Sequence, residues 1–171
     1  FKGELEHALS EYRGDTVTVM DTRALGGGCI NNAGRLETSH GTFFLKYNPR
    51  PLPHMFEREA EGLKALHEVG AIAVPAPISA SSGGDNFPPY LLTTYLGEGS
   101  RPSDFSERFG RQFARLHRHG KGERFGFFHD NYLGSTPQPN GWMDDWVEFW
   151  REYRLGHQLR LQLRTVDLLD L

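Results

Sequence analysis

Residues 16–47 read Thr-Val-Thr-Val-Met-Asp-Thr-Arg-Ala-Leu-Gly-Gly-Gly-Cys-Ile-Asn-Asn-Ala-Gly-Arg-Leu-Glu-Thr-Ser-His-Gly-Thr-Phe-Phe-Leu-Lys-Tyr, and this stretch decides the fold. Thr16 to Met20 alternates β-branched residues, a strand signal, and Arg35 to Thr38 and Thr42 to Tyr47 make two more strands joined at Ser39-His40-Gly41 as a hairpin. Gly26, Gly27 and Gly28 interrupt the first two strands. The order is therefore strand, glycine turn, strand, tight turn, strand. Lys46 ends the apolar run Phe43-Phe44-Leu45, where its stem can be buried while its ammonium stays free to reach a partner.

Outward from this core, Leu5, Ala8, Leu9 and Tyr12 space a short amphipathic helix that ends near Gly14. On the other side, Pro53 to about Val69 is helical in pattern, with Phe56, Ala60, Leu63 and Leu66 on one face and Gly70 and Pro75 closing it. Ile78 to Ala80 and Tyr90 to Leu96 read as two further strands around a turn at 81–86. The expected architecture is α+β: a five-stranded antiparallel sheet with one helix over residues 1–96, a linker at 97–103, and a helical region over 104–171. That region opens with a helix from Asp104 to His119 whose Phe105, Phe109, Phe113 and Leu116 point inward. Pro137, Pro139 and Gly141 predict an irregular polar loop. Met143, Trp146, Val147, Trp150 and Tyr153 then form one apolar stripe of a helix running to about Leu163.

Composition narrows the function classes. At 171 residues, 37% hydrophobic and 24% charged, the chain is a globular mixture, and a net charge of −3 gives no basic footprint for nucleic acid. No run approaches the roughly 18 apolar residues that a membrane span needs, which predicts no membrane partner and a cytoplasmic location. The single cysteine, Cys29, excludes an intrachain disulfide and a cysteine-based zinc site, and no histidine spacing suggests a metal.

Five segments carry a family resemblance: Gly26 to Asn32, Phe43 to Lys46, Met55 to Leu63 (Met-Phe-Glu-Arg-Glu-Ala-Glu-Gly-Leu), Phe109 to His117 (Phe-Gly-Arg-Gln-Phe-Ala-Arg-Leu-His), and Asn131 to Trp150, which contains Thr-Pro-Gln-Pro-Asn-Gly-Trp. In this order and spacing the chain resembles the fructosamine kinases, or ketosamine-3-kinases, a branch of the protein-kinase-like phosphotransferases. The resemblance implies a kinase-like fold, with a nucleotide lobe and the start of a helical lobe. It also implies ATP and Mg²⁺ as cofactors and a ketosamine as acceptor.

Phosphoryl transfer asks a protein to grip phosphates and neutralise charge more than to do covalent chemistry. By the resemblance, Gly26, Gly27, Gly28, Cys29 and Asn31 line the phosphates, although three glycines also suit a plain hairpin tip. Lys46 is expected to hold the phosphates with Glu59 as its partner; Glu57 is the next choice and Glu61 reads as surface. Adenine is expected against backbone groups near Thr94 and Leu96. Gln138, Asn140, Trp142 and Asp144, with Asp145, are candidates for the sugar side, while both aspartates would equally serve as helix-start residues. Cys29 reads either as an oxidisable thiol that could join a homodimer or as a small residue tolerated in a turn. His117, Trp146, Phe149 and Trp150 read as structural.

The family's catalytic loop, a His-Gly-Asp-Leu stretch, and its later Mg²⁺-binding Asp are absent from the 171 residues. The expectation is thus an N-terminal portion of an ATP-dependent ketosamine kinase, inactive by itself. The alternative is a short form or pseudokinase that binds nucleotide without transfer. Leu155, Leu159, Leu161, Leu163, Leu168 and Leu169 are expected to be uncovered.

Overall fold

The computed structural model describes residues 1–26 and 30–167. They form two compact units, Phe1–Gly120 and the chain from Lys121 on.

In the first unit, helix α1 (Lys2–Arg13) ends at Gly14, whose φ of 71° lets its N–H reach the Ser10 carbonyl at 2.8 Å. Strands β1 (Val19–Leu25), β2 (Asn32–Thr38) and β3 (Gly41–Tyr47) follow, then helix α2 (Met55–Val69), strands β4 (Pro77–Ser81) and β5 (Tyr90–Thr94), and helix α3 (Phe105–His119). The sheet is antiparallel in the order β1-β2-β3-β5-β4. Thr16 to Thr18 precede β1 rather than belonging to it. Their amides are taken by side chains, Val17 N–H by Ser10 Oγ at 2.9 Å and Thr18 N–H by Ser39 Oγ at 3.0 Å.

Two helices, not one, complete the sheet. Leu5, Ala8 and Leu9 of α1 are buried with Val17, Val19, Leu36, Phe43, Leu45, Tyr90 and Leu92 in one continuous core. Glu6 of α1 accepts the Val19 N–H at 2.8 Å, and Tyr90 Oη donates to Glu4 Oε1 at 2.9 Å, so polar bonds fasten α1 to the sheet as well. Side chains alternate across a strand. Phe43 and Leu45 therefore face this core, and Lys46 faces the opposite side, where α2 lies.

The division falls after Gly120 rather than at 97–103, because α3 stays with the sheet unit. A Cβ built on Gly120 would sit 3.4 Å from Val69 at the end of α2. Phe105, Phe109 and Phe113, expected to point inward, are all about half exposed, and no residue of α3 is buried. They stack on one another with centroids 6.1 and 5.9 Å apart, and His117 sits edge-on to Phe113 at 4.6 Å. The periodicity described a real stripe, but the described residues of its unit leave it about half exposed.

In the second unit the stretch expected to be irregular holds a hairpin, β6 (Asn131–Leu133) and β7 (Thr136–Gln138), turning at Gly134 with φ 65°. Pro137 sits opposite Tyr132 in this two-stranded ribbon. A ribbon has an outward edge, so a missing N–H is tolerated there. The following helix begins at Trp146, three residues later than Met143. It runs as α4 (Trp146–Trp150), a π-helical turn (Arg151–Leu155) and α5 (Gly156–Asp167). Phe149 is its buried aromatic, 4% exposed, whereas Trp146, Val147 and Trp150 of the expected stripe are largely exposed. Leu155, Leu159 and Leu163 are exposed too; Leu168 and Leu169 lie outside the described residues.

Candidate functional site

Lys46 lies in register between Ala33 of β2 and Leu91 of β5. Its Nζ donates to both carboxylate oxygens of Glu59, each at 2.8 Å. An ammonium has three N–H donors, so this two-point grip fixes the nitrogen and leaves one donor for a ligand. Both side chains keep about a third of their surface exposed, which makes the pair reachable. The geometry separates Glu59 from its two acidic neighbours on α2: Glu57 accepts from Ser82 Oγ and Glu61 from Arg58 at 2.8 Å.

Beside this pair, Asn31 is held from two sides. Asn48 Nδ2 donates to Asn31 Oδ1 at 3.0 Å and to the Ile30 carbonyl at 3.1 Å, and Asn31 Nδ2 reaches Met55 Sδ at 3.7 Å. Asn48, just past β3, and Met55, at the start of α2, thus hold Ile30 and Asn31 ahead of β2. Asn48 was not legible as a site-shaping residue; an Asn just past a strand is a common turn residue. Gly26 is exposed, and Gly27, Gly28 and Cys29 lie outside the described residues. Thr94 is committed to the sheet, its N–H donating to the Ala76 carbonyl at 3.0 Å and its Oγ1 accepting the Ala76 N–H at 2.9 Å. Leu96, beyond the strand, is half exposed.

The sugar-side candidates all belong to the second unit. Asn140 is 6% exposed and its polar groups are spent inside the protein. Its N–H donates to Asp130 Oδ1 at 2.8 Å, its Nδ2 to the His129 carbonyl at 3.0 Å, and its Oδ1 accepts from Arg154 Nη2 at 2.7 Å. Asp145 caps α4 by accepting the Glu148 N–H at 2.8 Å. Asp144 is exposed and takes Arg124 Nε at 2.6 Å; Arg124 also donates to the Trp142 carbonyl at 3.2 Å. Trp142 keeps 40% of its surface and touches Phe128 edge-on at 5.5 Å. Gln138 closes β7 opposite Asn131.

Arg154, which the sequence did not single out, is central here. Its guanidinium lies 4.6 Å from the Phe149 ring centroid, and its Nη1 donates to the Pro139 carbonyl at 2.8 Å. Desolvation lowers its pKa from the ordinary value, yet an arginine stays cationic at neutral pH.

A five-stranded sheet with a helix-held lysine on its third strand is the nucleotide-lobe arrangement of kinase-like phosphotransferases. The fructosamine kinase family model matches residues 2–167, and the chain belongs to that family. It is 41% identical over 160 residues to the protein-ribulosamine 3-kinase, chloroplastic, of Arabidopsis thaliana, covering 91% of this chain and 47% of the relative. To the rice (Oryza sativa subsp. indica) protein of the same name it is 40% identical over 152 residues, covering 86% and 43%. Among solved structures, a candidate fructosamine-3-kinase from Haemophilus somnus superposes with a TM-score of 0.80 at 27% identity, covering 94% of this chain and 54% of the other. A counterpart from Thermobifida fusca gives 0.74 at 28%, covering 94% and 55%. The chain spans about half the length of the curated relatives it matches.

Among the described residues no helix is long and apolar enough to cross a membrane, and no three His, Cys, Asp or Glu side chains gather to hold a metal. Plant relatives carry a chloroplastic name, so the cytoplasmic expectation does not transfer from the family. Nothing supports the homodimer read on Cys29, the only cysteine, which lies outside the described residues.

Proposed function

We propose that the protein transfers the γ-phosphoryl group of ATP to the third hydroxyl of a ketosamine, a fructosamine or ribulosamine. The observation that carries this reading is the Lys46–Glu59 pair, whose two bonds leave one ammonium donor for a ligand. Lys46 would neutralise phosphate charge, Glu59 would hold it in position, and Gly26 to Cys29 with Asn31 would approach the phosphates. Thr94 offers no free amide, so an adenine edge would meet the backbone nearer Leu96. Mg²⁺, when bound with ATP, would supply charge neutralisation at the phosphates, and no described residue cluster is assigned to it. Trp142, with Gln138 and Asp144, would offer the acceptor an indole face and hydroxyl partners. The names of the plant relatives support the acceptor class. Phosphate leaves more readily than hydroxide, so the 1,2-enaminol form of the product would expel phosphate from C3 to give an imine, and water would hydrolyse that imine to the free amine and a dicarbonyl sugar.

The test is a coupled ADP-release assay on the intact protein with fructosyl-lysine. Turnover is expected with ATP and Mg²⁺, and Lys46→Met is expected to lower kcat by about 10²–10³, the usual loss for one preorganised charge contact. Absence of turnover with any ketosamine, or an unchanged Lys46→Met enzyme, would reject the reading.

A further inference from the structure

Tyr153, Arg154 and His157 come from one short stretch of helix, and all three grip the segment just before Trp142. Arg154 Nη1 holds the Pro139 carbonyl and its Nη2 holds Asn140 Oδ1, at 2.8 and 2.7 Å. His157 Nε2 lies 2.7 Å from the Pro137 carbonyl. Tyr153 presses on Gly141 so closely that a Cβ built there would stand 2.3 Å from its hydroxyl. On the far side, Met143 and Phe125 exchange backbone bonds of 2.8 Å, and Phe127 N–H donates to the Asn140 carbonyl at 2.9 Å. The segment is thus fastened on both flanks, while the Trp142 ring is left 40% exposed.

The π-turn is what brings Arg154 into this grip. In an unbroken α-helix residues 149 and 154 would project about 140° apart, at about 100° per residue. With the five-residue turn closed by Gly156 N–H on the Arg151 carbonyl, Arg154 instead stacks on Phe149. Gly156 is required there, because a Cβ would lie 2.4 Å from the Arg151 oxygen. Such turns carry no gain in helix hydrogen bonding and occur often at functional sites.

We propose that Arg154 is a positioning residue for the acceptor side of the phosphotransferase: held by the π-turn, it fixes the Pro139–Gly141 segment and so presents Trp142 to the ketosamine. This rests on the acceptor reading above. The side chain touches no reacting group; it acts through Asn140 and the Pro139 carbonyl. Arg154→Met keeps the apolar stem over Phe149 and removes the fork, Arg154→Lys keeps the charge with poorer geometry, and Gly156→Ala attacks the turn from a distance.

The experiment measures KM for fructosyl-lysine and for ATP separately in the intact protein. In parallel, acrylamide quenching is measured with Trp142 as the reporter, in a background whose other tryptophans, including Trp146 and Trp150, are replaced by Phe. Arg154→Met is expected to raise the ketosamine KM at least tenfold with ATP KM within twofold, and to make Trp142 more quenchable. Arg154→Lys should fall between Met and wild type, and Gly156→Ala should follow Met. Parallel rises in both KM values, or Trp142 quenching unchanged in Arg154→Met, would overturn the proposal. If the wild type turns over no ketosamine, the acceptor reading fails, and the quenching comparison still decides whether Arg154 positions the loop. Should Arg154→Met not fold, Arg154→Lys carries the same comparison, and a wild-type KM and quenching profile there overturns it.

Discussion

Tyr90 gives the sharpest quantitative test of how the lysine-bearing sheet is held. It is 1% exposed, pairs in register with Tyr47 beside Lys46, and donates its hydroxyl to Glu4 Oε1 at 2.9 Å with Ser79 Oγ at 3.2 Å. Burial pushes its phenol from 10.0 up to about 12. A phenol whose folded pKa lies above its unfolded one keeps its proton in the fold while the unfolded chain releases it. Its contribution is therefore complete below pH 10 and is lost as pH rises through about 12. With 1.36 kcal/mol per unit, the loss is about 1.4 kcal/mol at pH 11 and approaches about 2.7 kcal/mol above pH 12. Tyr90→Phe removes this slope but loses a hydrogen bond to a charged group, at a cost of about 1–2 kcal/mol at neutral pH. Urea unfolding of both proteins at pH 7, 9 and 11 checks it. The variant should be less stable at pH 7 and 9, and the gap should close by about 1.4 kcal/mol between pH 9 and 11. Parallel curves across that range would refute the argument that the buried phenol titrates with the fold.

Glu59→Gln keeps the shape of the Lys46 contact without its charge; kcat of the intact protein should drop about tenfold, less than for Lys46→Met, while stability shifts by less than about 1 kcal/mol, as expected for a partly exposed pair. Asn140→Leu leaves the Asp130 side unchanged but removes the bond to the His129 carbonyl and the acceptor of one Arg154 arm, so chemical unfolding should show a loss of about 2–3 kcal/mol. Gly83→Ala meets Pro89 Cδ at 2.7 Å with φ at 88°, and calorimetry should record a destabilisation above about 1 kcal/mol. Asp15 is held below its ordinary 3.8 by the Thr16 N–H and then by His40, so its contribution exists above that pH and fades as pH falls through the depressed value; the stability gap to Asp15→Asn, followed by acid titration, should close in that direction.

The sheet was legible because its signals are local. Alternation in Thr42 to Tyr47 assigns Phe43 and Leu45 to one face and Lys46 to the other, and pairing with β5 follows once Tyr90 to Thr94 reads as a strand. The resemblance supplied the expectation of a lysine–glutamate pair with Glu59 first and Glu57 next, and the geometry puts Glu59 on Lys46. The helices after residue 104 were harder for a physical reason. A moment identifies an apolar stripe, yet Phe105, Phe109 and Phe113 show that a stripe does not say whether the same unit supplies a partner.

The polar loop shows a different limit. Residue type marked Gln138, Asn140, Trp142 and Asp144 as groups able to meet a polyol, but type cannot say which polar atoms the fold consumes. Asn140 lies between Pro139, which has no N–H, and Gly141, against which Tyr153 packs, so the chain there has few donors of its own and recruits side chains to fix its course. A buried amide must be satisfied, and Asn140 is satisfied by Asp130, His129 and Arg154 rather than left free for a ligand. Asp145 is likewise taken by the helix start. What stays outward is the Trp142 ring, beside an Asp144 carboxylate that is exposed even while paired with Arg124. The buried Asn140 thus builds the platform, and the exposed Trp142 indole is the surface that the proposed acceptor would meet.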